Sequence, residues 1–180
     1  MESESFFFKG AFLMKYLSDE LDRARNEMEK LNELGNEGAG DLIFLKYCIK
    51  PLVLHENRAV KNITTGYRVA DPMYLTKPVS GEEDVVKCRV IEHKIPFDGD
   101  KRLFEFTTRP YPFYPFGRLE DGMFVITEKE GEDLYISNYR YNLVLLKDCL
   151  KISTEAVKCY NSHIKEMIDE VSCEFIPRCL

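Results

Sequence analysis

The chain has 180 residues and a mass of 21.0 kDa, with 44% hydrophobic and 31% charged residues. Those proportions exclude a disordered segment, and the absence of any long uncharged run excludes a membrane span. The 25 Lys and Arg against 31 Asp and Glu leave a net charge of −6, which disfavours wrapping of nucleic acid by bulk counterion release.

From Leu13 the apolar residues Leu13, Leu17, Leu21, Ala24, Met28 and Leu31 recur at helical spacing and predict a one-faced helix. Gly35, Gly38 and Gly40 end it in a flexible connector. Phe6, Phe7, Phe8 and Phe12 crowd its start, and either carry the apolar stripe onto a partner or a second copy, or fold back onto the core. Asp41 is the expected N-cap of a buried helix from Leu42 to about Val60, kinked or divided at Pro51. Turn signals at Thr65-Gly66, Asp71-Pro72 and Lys77-Pro78 predict loops over 62–80, with at most a short strand at Tyr67–Val69.

The centre reads as strand. Val85–Ile95 is rich in β-branched residues, with Val86, Cys88, Val90 and Glu92 on one side. Phe97-Asp98-Gly99-Asp100 predicts a hairpin turn into a strand over Leu103–Thr108. Beyond residue 118, Glu120-Asp121-Gly122 turns into a strand over Met123–Glu128, and Leu134–Tyr139 pairs back after a second turn. In the tail Leu146, Cys149, Leu150, Val157, Tyr160, Ile164, Met167, Ile168 and Val171 keep to one helical face. Ser153-Thr154 falls inside that pattern, either within one helix or as a break with a fresh N-cap.

The fold class that follows is α+β: an antiparallel sheet of about four strands packed against N-terminal and C-terminal amphipathic helices. The expected organisation is one domain over residues 1–180, with 1–40 a helical arm and glycine connector and 41–180 an α+β core. Six cysteines without CxxC spacing, behind the acidic opening Met1-Glu2-Ser3-Glu4-Ser5, read as reduced thiols in an intracellular, cytoplasmic setting.

Residues 109–118, Arg109-Pro110-Tyr111-Pro112-Phe113-Tyr114-Pro115-Phe116-Gly117-Arg118, concentrate rings, prolines and flanking arginines. Prolines remove ladder donors and restrict the preceding residue, so this stretch is expected to be extended, kinked and poor in backbone partners. Arg109, Tyr111, Phe113, Tyr114, Phe116 and Arg118 are the candidate binding residues, because aromatic and arginine side chains dominate interface energies. Structurally, the alternative is that Phe113 and Phe116 plug the end of the sheet, and a mixture of inward and outward rings is the expected outcome.

Two sets of residues bear on catalysis or metal binding. Val90-Ile91-Glu92-His93-Lys94, an ExK on a strand behind Asp84, resembles the metal centre of restriction-endonuclease-like phosphodiesterases. That resemblance implies Mg²⁺ held by Asp84 and Glu92, with Lys94 steadying the nucleophile. The departure is that only seven residues separate Asp84 from Glu92. Cys159, His163 and Glu166 share a helical face, but no other Cys/His pair completes a four-ligand zinc site, and Cys159 is expected to fill the core. His55, His93 and His163 are scattered and no GxSxG elbow surrounds any serine. The favoured expectation is therefore a non-catalytic interaction module, an adaptor, inhibitor or assembly subunit, that binds another protein chain without metal or cofactor; the alternative is the Mg²⁺-dependent nuclease.

Overall fold

The computed structural model describes residues 4–69, 85–108, 113–131 and 138–174, which divide into two compact units. The architecture is α+β with an antiparallel sheet.

The helical unit comprises the described residues of 8–53, 98–112 and 148–180. Here the leucine stripe forms α1, Leu13–Glu33, which buries Leu13, Leu17, Ala24 and Met28. Gly35, at φ 69°, lets the N–H groups of Gly35 and Asn36 turn back to the carbonyls of Asn32 and Leu31. α2 is shorter than expected and spans Ala39–Tyr47, with Asp41 in its first turn instead of at its cap. Its exit is held from the later part of the chain: Asn161 accepts from the Ile49 N–H at 3.0 Å and donates to the Ile49 carbonyl at 2.8 Å, while the Tyr160 hydroxyl donates to the Tyr47 carbonyl. Those bonds replace helical ones just before Pro51, whose missing N–H could not continue a helix. Glu27 on α1 pairs with Lys46 and accepts from the Tyr47 hydroxyl, joining the two helices.

The hairpin and strand expected after Phe97 are not there. Asp98-Gly99 does turn, and Gly99 is required there, because at φ 110° an added Cβ would lie 2.3 Å from the Pro51 carbonyl. Asp100 then accepts from the Arg102 N–H and starts a 3-10 helix over Lys101–Glu105. Consecutive Leu103 and Phe104 are both buried, which a strand with alternating faces would not allow.

The sheet unit comprises the described residues of 1–7, 54–97 and 113–147. Its strands are β1 (Ser5–Phe6), β2 (Val53–Leu54), β3 (Val60–Val69), β4 (Val85–Asp98), β5 (Phe116–Glu120) and β6 (Met123–Lys129). The order is β1-β5-β6-β4-β2, with β3 alongside β4, so among the described residues the sheet has six strands where about four were expected. β3 replaces the loops expected over 62–69 and pairs with β4 from Val60↔Lys94 to Val69↔Val85. β5 and β6 join through Asp121-Gly122, both at positive φ, the backbone a two-residue hairpin demands. Register places Ile95, Phe124 and Ile126 on one face, where all three are fully buried. The strand expected at Leu134–Tyr139 lies outside the described residues except at its end, where Tyr139 begins a helix.

That helix, α3, runs Tyr139–Glu174 without a break at Ser153-Thr154. Its first nine residues belong to the sheet unit and the remainder to the helical unit. Among the described residues no helix is long and apolar enough to cross a membrane.

Candidate functional site

Of the aromatic-proline stretch, residues 113–118 are described, while Arg109 and Tyr111 lie outside the described residues. The described half is extended, as expected, but it does not lack backbone partners. The Pro115 carbonyl accepts from the Phe7 N–H at 2.9 Å, and β5 pairs with β1 through Ser5↔Gly117 and Phe6↔Phe116. Asn142, in the first turns of α3, accepts from the Phe116 N–H at 2.7 Å. On its other side β5 pairs with β6. Gly117 makes that approach possible, because a Cβ there would lie 2.5 Å from the Val125 carbonyl.

This frame sorts the rings. Phe116 is half-buried and packs edge-on against Phe6, with centroids 5.0 Å apart. Tyr114 is half-buried, and Phe113 is 44% exposed with its edge toward Tyr141 at 6.3 Å. Phe113 therefore forms the outermost described part of an aromatic ridge whose backbone is fixed from Pro115 onward by β1, β6 and Asn142.

Arg118, at the end of the stretch, is used within the fold. Only 13% of its side chain is exposed. Its guanidinium lies 2.6 Å from Glu92, 2.9 Å from Glu120 and 3.6 Å from Glu4, and it donates to the Thr127 hydroxyl at 3.2 Å. Burial alone would lower its pKa, but the hydrogen bonds to Glu92 and Glu120 outweigh that and raise it. Lys94 completes the group, 3.0 Å from Glu120 and 3.8 Å from Glu92. The hydrogen bond from Lys94, then that from Arg118, lowers the Glu120 pKa. In register, Lys94, Val125 and Arg118 stand side by side, so the stems of the two cations flank a fully buried valine.

The ExK pair thus sits in an ion-pair network. Glu92 faces Arg118, and Asp84, the other predicted metal ligand, lies outside the described residues. Among the described residues no group of three or more His, Cys, Asp or Glu side chains is arranged to hold a metal ion. Cys159 is exposed, contrary to the expectation that it fills the core. With His163 it borders a cavity of about 210 Å³ that Leu17 and Tyr160 also line.

A constellation that the sequence did not suggest lies on the opposite sheet face. His93 Nε2 is 2.8 Å from Glu128 Oε2, and its ring stacks on Tyr139 with centroids 3.8 Å apart. In the neutral ring this fixes Nε2 as the protonated nitrogen, since a carboxylate can only accept. Burial raises the Tyr139 pKa. The signal available in sequence was parity alone: His93 must face away from Glu92 and Lys94 on an alternating strand. Comparison of the chain with known protein families, with curated proteins and with solved structures finds no match.

Proposed function

We propose that this chain is a non-catalytic interaction module that docks another protein chain through the aromatic-proline stretch 109–118, of which residues 113–118 are described. The observation that carries this reading is the exposure of Phe113 just ahead of a backbone fixed from Pro115 onward by Phe7, β1, β6 and Asn142. A ring presented beside a fixed strand loses little entropy on binding, the economy that makes aromatic residues interface anchors. In this reading Phe113 and Tyr114 make contact, and Arg109 and Tyr111, which lie outside the described residues, belong to the same stretch in sequence. Phe116 and Arg118 set the ridge in place, Phe116 by packing on Phe6 and Arg118 by tying β5 to β4.

The test is retention of whatever protein co-purifies with the chain, measured by native mass spectrometry for wild type, Phe113→Ala and Tyr114→Ala alongside thermal unfolding. The expected outcome is a binding loss of about tenfold or more at Phe113 with cooperative unfolding preserved. Undiminished retention in both variants would remove the ridge from the interface.

A further inference from the structure

β3 carries a second surface. Among the described residues its one neighbour is β4, along the whole run from Val60↔Lys94 to Val69↔Val85. Its outer edge therefore presents the backbone groups of alternate residues, roughly half of the strand, without a ladder partner among the described residues. Edge strands are ordinarily blunted by proline, a bulge, short length or charged side chains. β3 has the charges, Lys61 and Arg68, but holds ten residues in continuous register with no proline. It also leaves apolar side chains in solvent, with Val60, Ile63 and Tyr67 exposed by 48%, 57% and 67%.

Charge selects the occupant. Over 60–69 and the paired residues 85–94 the ribbon contains Lys61, Arg68, Lys87, Arg89 and Lys94 against one carboxylate, Glu92, which is held by Arg118, in a chain of net charge −6. Register puts Lys61, Ile63, Thr65 and Tyr67 on one face, with Arg89 opposite Thr65 and Lys87 opposite Tyr67. Lys61, Lys87 and Arg89 are exposed, and none forms an ion pair with a described residue. A second copy fits poorly: full-length antiparallel pairing of β3 with itself would set Lys61 directly against Arg68, and like charges placed opposite are destabilising. A single-stranded nucleic acid would use the cations and stack on Tyr67, but it would leave Val60, Ile63 and the strand edge unused.

We infer that β3 receives an extended acidic segment of a partner protein by strand addition, with a carboxylate facing Lys61 and apolar residues facing Ile63 and Tyr67. Main-chain bonds supply affinity and the alternating side chains supply selection. This inference stands apart from the aromatic ridge, and either surface can fail alone.

The experiment selects peptides from a random twelve-residue display library against the full chain and synthesises the best binder. Expected are sequences in which an Asp or Glu and apolar residues stand at even spacing, on one strand face, and slowed amide exchange within 60–69 on binding. N-methylation of alternate peptide residues, which removes strand donors, should weaken binding about tenfold or more, as should the doubly substituted chain Lys61→Glu, Lys87→Glu. Replacing the peptide's acidic residues by lysine should restore binding to that variant, and Phe113→Ala should leave it unchanged. The inference is overturned by an empty selection, by peptides without acidic bias or with protection elsewhere, by a doubled native mass that the peptide dissociates, or by a dT20 oligonucleotide outcompeting the peptide.

Discussion

Glu128 accepts a hydrogen bond from the backbone N–H of Tyr139 at 2.9 Å, so a strand side chain satisfies a donor at the start of a 36-residue helix. The first N–H groups of any helix lack internal partners, and a carboxylate there also meets the positive end of the helix dipole. Asn138 serves the donor two residues on by accepting from the Tyr141 N–H. The second Glu128 oxygen holds His93, whose ring lies flat on Tyr139. One carboxylate thereby fastens the end of β6 and the first turn of α3 to β4.

Glu128→Ala should accordingly cost about 2 kcal/mol, and Glu128→Gln about 1 kcal/mol because the amide oxygen can still accept while the charge is lost. Urea unfolding of both, with His93→Ala and the double variant, measures the coupling. Additive losses for His93 and Glu128 would mean that their contact contributes nothing.

Gly117→Ala tests whether the ridge depends on the close approach of β5 to β6. With a Cβ 2.5 Å from the Val125 carbonyl, either β5 shifts or the pairing opens. The expected loss is about 1–3 kcal/mol, together with faster exchange of the Phe116 amide that Asn142 accepts. An unchanged midpoint and an unchanged Phe116 exchange rate would show that the strand absorbs the methyl group.

Glu92 separates the interaction reading from the nuclease reading. If its task is to hold Arg118, Glu92→Gln lowers stability by about 1 kcal/mol, since Glu120 remains to pair the guanidinium. Incubated with DNA or RNA, the wild type should show no Mg²⁺-dependent cleavage. Cleavage by the wild type that Glu92→Gln abolishes would install the nuclease instead.

Asp100 makes stability depend on acid. Burial raises its pKa, but the side-chain and backbone hydrogen bonds from Arg102 outweigh burial and hold it below 3.8. A depressed carboxylate contributes stability that is complete above its unfolded pKa and is lost as pH falls through the folded one. Unfolding midpoints should therefore decline from slightly above 3.8 downward. Asp100→Asn should cost about 1 kcal/mol at neutral pH and remove part of that decline. A parallel pH profile in wild type and variant would assign the acid sensitivity to other carboxylates.

How much of this was legible in sequence depended on whether a segment has one buried face. The 3.6-residue stripe of Leu13, Leu17, Ala24 and Met28 and the alternation through Val85–Ile95 belong to half-buried elements, and both were read correctly in kind. β3 gave no such signal because both of its sides are exposed, so Asn62, Thr64 and Thr65 read as loop. β5 was hidden by the neighbouring prolines, and its pairing with β1 joins residues more than a hundred positions apart. Arg118 was legible as a cation but not as the partner of Glu92, since that contact exists only once β4, β6 and β5 lie in register.

Ser153 is the residue at which local and long-range preferences part. Its hydroxyl type favours a cap, yet α3 passes straight through it, with its side chain 1% exposed and its oxygen lacking a hydrogen-bond partner among the described residues. A buried hydroxyl without a partner forfeits its hydration, and serine is a poorer helix former than alanine by about 0.5 kcal/mol. Continuity therefore comes from apolar neighbours on the same face, Leu146, Cys149, Leu150 and Val157, all of them buried. Ser153→Ala should raise stability by about 1 kcal/mol, read as a higher urea midpoint with an unchanged slope. A loss of similar size would show that the hydroxyl is satisfied, by water or by a partner chain, and that the break suggested by Ser153-Thr154 marks a working feature of the helix.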